Sequence, residues 1–243
     1  MSKTQPARFE APVGADPAPR ADSSSRGEMT REALIRAAID LFGHAGFNAV
    51  STRAISEAAG VNQALIGYHF GGKPGLYLAA LNHIADSVDS RIGPLVAGIE
   101  AELDADDGDA AAAGARAVAL LHRFTDAFAA MLTGEESKAW ARLILREQQD
   151  PSEGFEVLYA TVMRRILGMT TRLVARARRL DAETDQCRLT ALTIIGQVLV
   201  FRVGREAVLR HMGWTRLSGA ELEAIRCELR HNVTAIVQAE QSQ

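Results

Sequence analysis

An all-α fold follows from three features of the sequence. Apolar residues recur at helical spacing from Leu34 to Ile236. Glycines, prolines and capping side chains fall at the ends of those stretches. No segment alternates polar and apolar residues with the β-branched and aromatic enrichment of a strand. The expected organisation is a tail over 1–27, a small three-helix unit over 28–75 and a larger helical bundle over 76–243.

Residues 1–27 carry Pro6, Pro12, Pro17, Pro19 and a serine run, without apolar periodicity. Such a segment buries too little surface to offset chain entropy and is expected to be disordered. Thr30 is the expected N-cap of a first helix bearing Leu34, Ala37, Ala38, Leu41 and Phe42, closed by Gly46. Ser51 or Thr52 caps a second, short helix with Ile55, Ala58 and Ala59, stopped by Gly60. Asn62 caps a third that ends near Phe70-Gly71-Gly72.

Lys73-Pro74 opens a long helix, expected to kink or break at Gly93-Pro94. Glu100–Asp109 holds six acids and no base and reads as a mobile connector able to fray into the helix before it. Helices are then expected over Val118–Met131, from a Thr133/Glu136 capping box to about Gln149, from Asp150-Pro151 to about Leu180, over Ala182–Met212, and from a Ser218/Glu221 box to about Gln238.

Composition limits function. The chain has 243 residues and a formal net charge of -3, against a uniformly basic surface. Its two cysteines, Cys187 and Cys227, exclude a disulfide scaffold and a cysteine-cluster zinc site. No secretion signal is visible, and the apolar run Ala191–Val203 is interrupted by Thr193, Gly196, Gln197 and Arg202. A cytoplasmic protein without a membrane partner is expected. No His-x3-His pair, phosphate-binding glycine loop or nucleophile elbow is present, so neither catalysis nor a metal or cofactor is expected.

The most informative stretch is Ser51–Phe70. Two short helices joined at Gly60 pack steeply through Ala58 and Ala59, the geometry of a helix-turn-helix. The second helix then presents its outer face to a major groove. Asn62 and Gln63 offer paired hydrogen bonds to base edges, and Ala64 and Leu65 offer apolar contact with a thymine methyl. Arg53 is placed for a guanine or a phosphate, while Thr52, Tyr68, His69 and Lys73 are candidate backbone clamps.

These residues, with Ala38, Leu41-Phe42, Gly46-Phe47, Ser51-Thr52-Arg53-Ala54-Ile55, Ala58-Ala59-Gly60-Val61 and Tyr68-His69-Phe70, resemble the DNA-binding domain of the TetR/AcrR family of bacterial regulators. The resemblance implies phosphate contacts from Thr52, Tyr68, His69 and Lys73, and base-facing Arg53 and Asn62–Leu65. One departure is Gly67, where the family often carries a phosphate-binding tyrosine; glycine also weakens the recognition helix by about 1 kcal/mol. Farther along, Leu145–Ser152 is similar to the CecR subgroup. The resemblance implies a repressor, responsive to a small molecule and bound to a palindromic operator.

The C-terminal bundle is expected to hold an effector and to pair two copies. Phe124, Phe128, Met131, Trp140, Tyr159, Met163 and Phe201, with Phe155, supply the large side chains of a candidate pocket, with Gln197 and Arg146 as polar anchors. The apolar helix with Leu192, Ile195, Gly196 and Leu199, and a last-helix seam of Leu222, Ile225, Leu229, Val233 and Ile236, are the candidate homodimer interface. The alternative is a helical ligand-binding or scaffold protein that leaves DNA untouched.

Overall fold

A computed structural model of the chain describes residues 21–105, 109–135 and 137–239. Among these residues every regular element is helical. The first three are α1 (Ala21–Ala45), α2 (Thr52–Ala59) and α3 (Ala64–Phe70). The long α4 (Lys73–Asp104) follows, then α5 (Ala110–Thr133) and α6 (Ser137–Gln149). Next, α7 (Glu153–Leu158), a π-helical turn (Tyr159–Met163) and α8 (Arg164–Arg178) run on without a break. The chain finishes with α9 (Asp185–Val203), α10 (Arg205–Met212) and α11 (Ala220–Gln238).

The N-terminal unit closes around Leu34, Ile35, Phe42, Ile55, Ile66 and Leu76, all almost fully buried. Ser51 caps α2 by accepting from Ala54 N–H at 3.1 Å, and Gly60, at φ 66°, ends it in the left-handed region that favours glycine. Gly75 answers a different need. A Cβ there would collide with the Phe70 carbonyl oxygen, so its hydrogen lets α3 close onto the start of α4.

The expected tail is shorter than the composition suggests. Residues 21–27 lie within α1, and the expectation for 1–20 falls outside the described residues. Thr30 is inside that helix, donating its hydroxyl to the Arg26 carbonyl at 2.9 Å, and is not its cap.

The expected break at Gly93-Pro94 does not occur. Pro94 sits exposed within α4 while Ile92, Val96, Ile99 and Leu103 stay buried along one side. Their burial, at about 1.5–3 kcal/mol per side chain, outweighs the roughly 3 kcal/mol cost of an internal proline.

The acidic connector continues α4 as helix through Asp104, and 106–108 fall outside the described residues. Glu100 pairs with Arg165 at 2.7 Å, Glu102 with Arg123 at 2.7 Å, and Asp104 with Arg172. The arginine-rich α8 thus fixes the end of α4 through Arg165 and Arg172. Thr133 closes α5 by donating to the Ala129 carbonyl at 2.8 Å rather than capping α6.

Helices α5, α8 and α9 pack side by side, with α4 against α7 and α8, and α11 along α5. This last contact corrects the expected dimer seam. Ile225, Leu229 and Val233 are 3%, 2% and 0% exposed within a single chain, and Leu222 and Ile236 are half-buried against the same core. An amphipathic stripe of that spacing fits a neighbouring helix of its own chain as well as a partner's. By length and mean hydropathy α9 is apolar enough to cross a membrane, contrary to the sequence expectation, but it packs on α5 and α8 as a wall of the bundle.

Candidate nucleic-acid interface and effector cavity

The reader is α2 and α3. Thr52 begins α2, and its Oγ1 accepts from Gln63 Nε2 at 2.8 Å. Asn62 Oδ1 accepts from Ala64 N–H at 2.9 Å, so this side chain caps the recognition helix and keeps only its amide donors for a base. Arg53 is exposed and donates from Nε to Glu57 at 2.8 Å, one turn away, leaving its outer guanidinium nitrogens free to meet DNA. Ala64 is exposed, whereas Leu65 is half-buried against the core, so Leu65 serves the helix pair more than the groove.

Tyr68 is 81% exposed and projects from α3, its ring edge against His69 at 4.9 Å. Lys73 opens α4 with its ammonium 4.5 Å from the Phe47 ring centre, a cation–π contact that steers the charge beside α3. Gly67 sits within a complete α3, closed at Gly71 by a 3.0 Å bond to the Gly67 carbonyl. A Cβ at Gly67 would meet nothing within 4 Å.

The bundle contains a cavity of about 410 Å³. Six residues expected in the pocket line it: Phe128, Met131, Trp140, Phe155, Tyr159 and Met163. Three of the walls come from α6, α9 and the π-helical turn, which contributes Tyr159, Val162 and Met163 to the cavity side.

Four expected residues lie elsewhere. Phe124 is 0% exposed and stacks beneath Phe128 at 5.3 Å, as core. Phe201 is half-buried against the core, and Gln197 places a buried Oε1 without a hydrogen-bond partner outside the cavity wall. Arg146 faces away from the cavity altogether. Its guanidinium donates to the Gly43 carbonyl at 3.0 Å and the His44 carbonyl at 2.8 Å, the carbonyls at the end of α1.

That placement exposes a junction the sequence did not signal. Glu147, only 2% exposed, accepts the Tyr77 hydroxyl of α4 and, from Ser152, both N–H at 3.1 Å and Oγ at 2.9 Å. Tyr77 also packs edge-on against Phe42 at 5.0 Å and Phe47 at 5.1 Å. Helix α6 therefore has two working sides: Trp140, Ile144 and Gln148 line the cavity, while Arg146 and Glu147 grip α1 and α4.

Of the expected interface on α9, Leu192, Gly196 and Leu199 are exposed, and Leu189, Val200 and Val203 extend the same apolar side. Ile195 is 8% exposed and lines the cavity, so it faces its own chain rather than a partner. Leu192, Leu199 and Val203 also edge the cavity, which thus borders this surface. The sequence marked Arg202 only as an interruption of the apolar run, yet it too lines the cavity.

Comparison with known proteins agrees with this arrangement. Residues 34–80 match the family model described as bacterial regulatory proteins, tetR family. Residues 117–240 match the C-terminal domain of the HTH-type transcriptional dual regulator CecR. CecR of Shigella flexneri is 32% identical over 213 residues, 88% of this chain and 93% of the relative. The chain belongs to the TetR family.

As a TetR-family member with a CecR-type C-terminal domain, it is a DNA-binding transcriptional regulator. This displaces the alternative of a scaffold that ignores DNA. A stretch of 64 residues, 26% of this chain, is 48% identical to the regulatory protein RaaS of Mycobacterium tuberculosis, of which it covers 30%. Two solved structures share the TetR-family fold at low identity. A TetR-family regulator from Mesorhizobium loti is 19% identical, with a TM-score of 0.57 over 87% of this chain and 96% of that one. AibR, solved with isovaleryl coenzyme A and operator DNA, is 16% identical, with a TM-score of 0.60 over 84% of this chain and 97% of that one.

Proposed function

We propose that the protein is an effector-responsive repressor that binds a palindromic operator as a homodimer and is released by a small apolar or amphipathic molecule. The observation that carries this reading is the double use of α6. The helix that walls the cavity also holds the ends of α1 and α4 through Arg146 and Glu147. An occupant that favours one position of α6 favours one position of the reader, and only that difference in affinity shifts the equilibrium.

The reader contacts proposed are Thr52, Tyr68, His69 and Lys73 to phosphates, and Arg53, Asn62, Gln63 and Ala64 toward bases. Its charge is balanced: Arg31, Arg36, Arg53 and Lys73 offset Glu28, Glu32, Asp40 and Glu57. Non-specific affinity is therefore expected to be modest, with recognition resting on geometry and base contacts. Pairing through the exposed α9 surface supplies the two-fold symmetry that a palindrome requires, and DNA reading puts the protein's work in the cytoplasm.

Selection of bound DNA from a random pool with the full chain tests the reading. Enrichment of an inverted repeat supports it, and enrichment of a single half-site or of nothing opposes it. Because the Shigella flexneri relative is described as a dual regulator, a reporter fused to the selected operator should score both directions; derepression by a cavity ligand is the expected one.

A further inference from the structure

We propose that the effector is an amphipathic anion, with an apolar body inside the bundle and one carboxylate held by Arg202. This rests on the reading of the cavity as the effector site and adds the chemistry of its occupant.

The cavity walls are mostly aliphatic and aromatic, as a buried apolar body requires. Arg202, in the last turn of α9, is the cationic side chain among them. It is half-buried, and its Nη1 donates to the Leu132 carbonyl at a long 3.3 Å. Burial, together with the nearby charge of Arg205, lowers its pKa; Glu135 opposes this, and Arg142 adds to it.

Among the described residues the neighbourhood is short of negative charge. Arg205 is 15% exposed along its side chain and reaches Glu135 at 3.6 Å, while its buried Nε has no hydrogen-bond partner. Glu135 is itself shared with Lys138. Among the described residues, the exposed Glu135 carboxylate is thus shared between Arg205 and Lys138 at the edge of an apolar cavity.

A buried or half-buried charge is costly until it is paired and hydrogen-bonded. An incoming carboxylate relieves that cost, and a guanidinium meets it with two parallel N–H bonds. A neutral head group leaves the deficit in place, and an ammonium adds to it.

The test measures binding of dodecanoate, dodecanol and dodecylammonium to the full chain by calorimetry, each below its micellar concentration. Wild type should bind dodecanoate at least about tenfold more tightly than dodecanol, the value of a charge-assisted hydrogen bond, and dodecylammonium least. Arg202→Gln should erase the preference for the acid and leave dodecanol binding unchanged, whereas Arg202→Lys should keep part of it. Equal binding of acid and alcohol by wild type, which needs no variant to fold, would overturn the carboxylate site while leaving the cavity reading intact. An undiminished preference in Arg202→Gln would overturn it too. Failure of all three probes to bind would overturn both.

Discussion

The Tyr77 hydroxyl donates to the buried Glu147 carboxylate, joining the start of α4 to the end of α6 across the two parts of the chain. Ser152 completes the carboxylate's partners through its N–H and hydroxyl. A buried carboxylate with three donors resists sliding, because losing one leaves a desolvated charge underpaired. In the proposed coupling, these contacts would pass movement of α6 to α4 and, through Arg146, to α1.

Tyr77→Phe should cost about 1.5 kcal/mol of folding stability at neutral pH, the low end for a bond to a charged group, since the ring is half-buried. Urea denaturation checks this. Burial first, then the Glu147 bond, raises the Tyr77 pKa above its ordinary value. The folded state thus holds the proton more tightly than the unfolded one. The contribution is fully present below the unfolded tyrosine pKa near 10 and is lost as pH rises through the higher folded value. The gap between wild type and Tyr77→Phe should be level through neutral pH and narrow only in strong alkali.

Gly67→Ala should stabilise the reader by about 0.5–1 kcal/mol, since a Cβ there meets open space and glycine is a poor helix former. Amide exchange at 65–68 should slow. Gly67→Tyr should raise operator affinity by restoring a phosphate-facing hydroxyl. A clash that unfolded the variant would contradict the open geometry.

Lys73→Ala should weaken binding to every DNA sequence alike and reduce the salt slope by about one unit. Gln63→Ala, by contrast, should relax preference at one base pair of each half-site, at a cost of about 1–3 kcal/mol for the favoured base. Anisotropy titrations on matched operators at several salt concentrations separate the two effects.

The double variant Leu189→Glu/Val200→Glu puts charge on the exposed side of α9 without touching the cavity wall. Light scattering should find monomers, and operator binding should fall by at least about a hundredfold. Retained dimers would mean that copies meet elsewhere.

Helix existence and the reader were legible because they are local: Ser51, Asn62 and Gly60 set the ends of α2 and α3 in the way their chemistry requires. What the sequence hid was pairing at a distance. The acids Glu100, Glu102 and Asp104 read as a mobile connector until Arg165, Arg123 and Arg172 are placed beside them. Arg146 offered the same charge to a ligand as to the carbonyls of Gly43 and His44, and only the fold decides between them. The Leu222–Ile236 stripe likewise records that α11 must be covered, but not by which helix.

The separation of the two readers within the proposed dimer is the most direct test of coupling between cavity and DNA. Ala58, unlike Ala59, is exposed rather than packed between α2 and α3, so spin labels at Ala58→Cys, in a Cys227→Ser background, report it for the free, operator-bound and dodecanoate-saturated protein. The account predicts a narrow distribution on DNA, with readers about 34–36 Å apart, and a shifted one when the cavity is filled. Release of the operator by dodecanoate with the same reader separation before and after would contradict it.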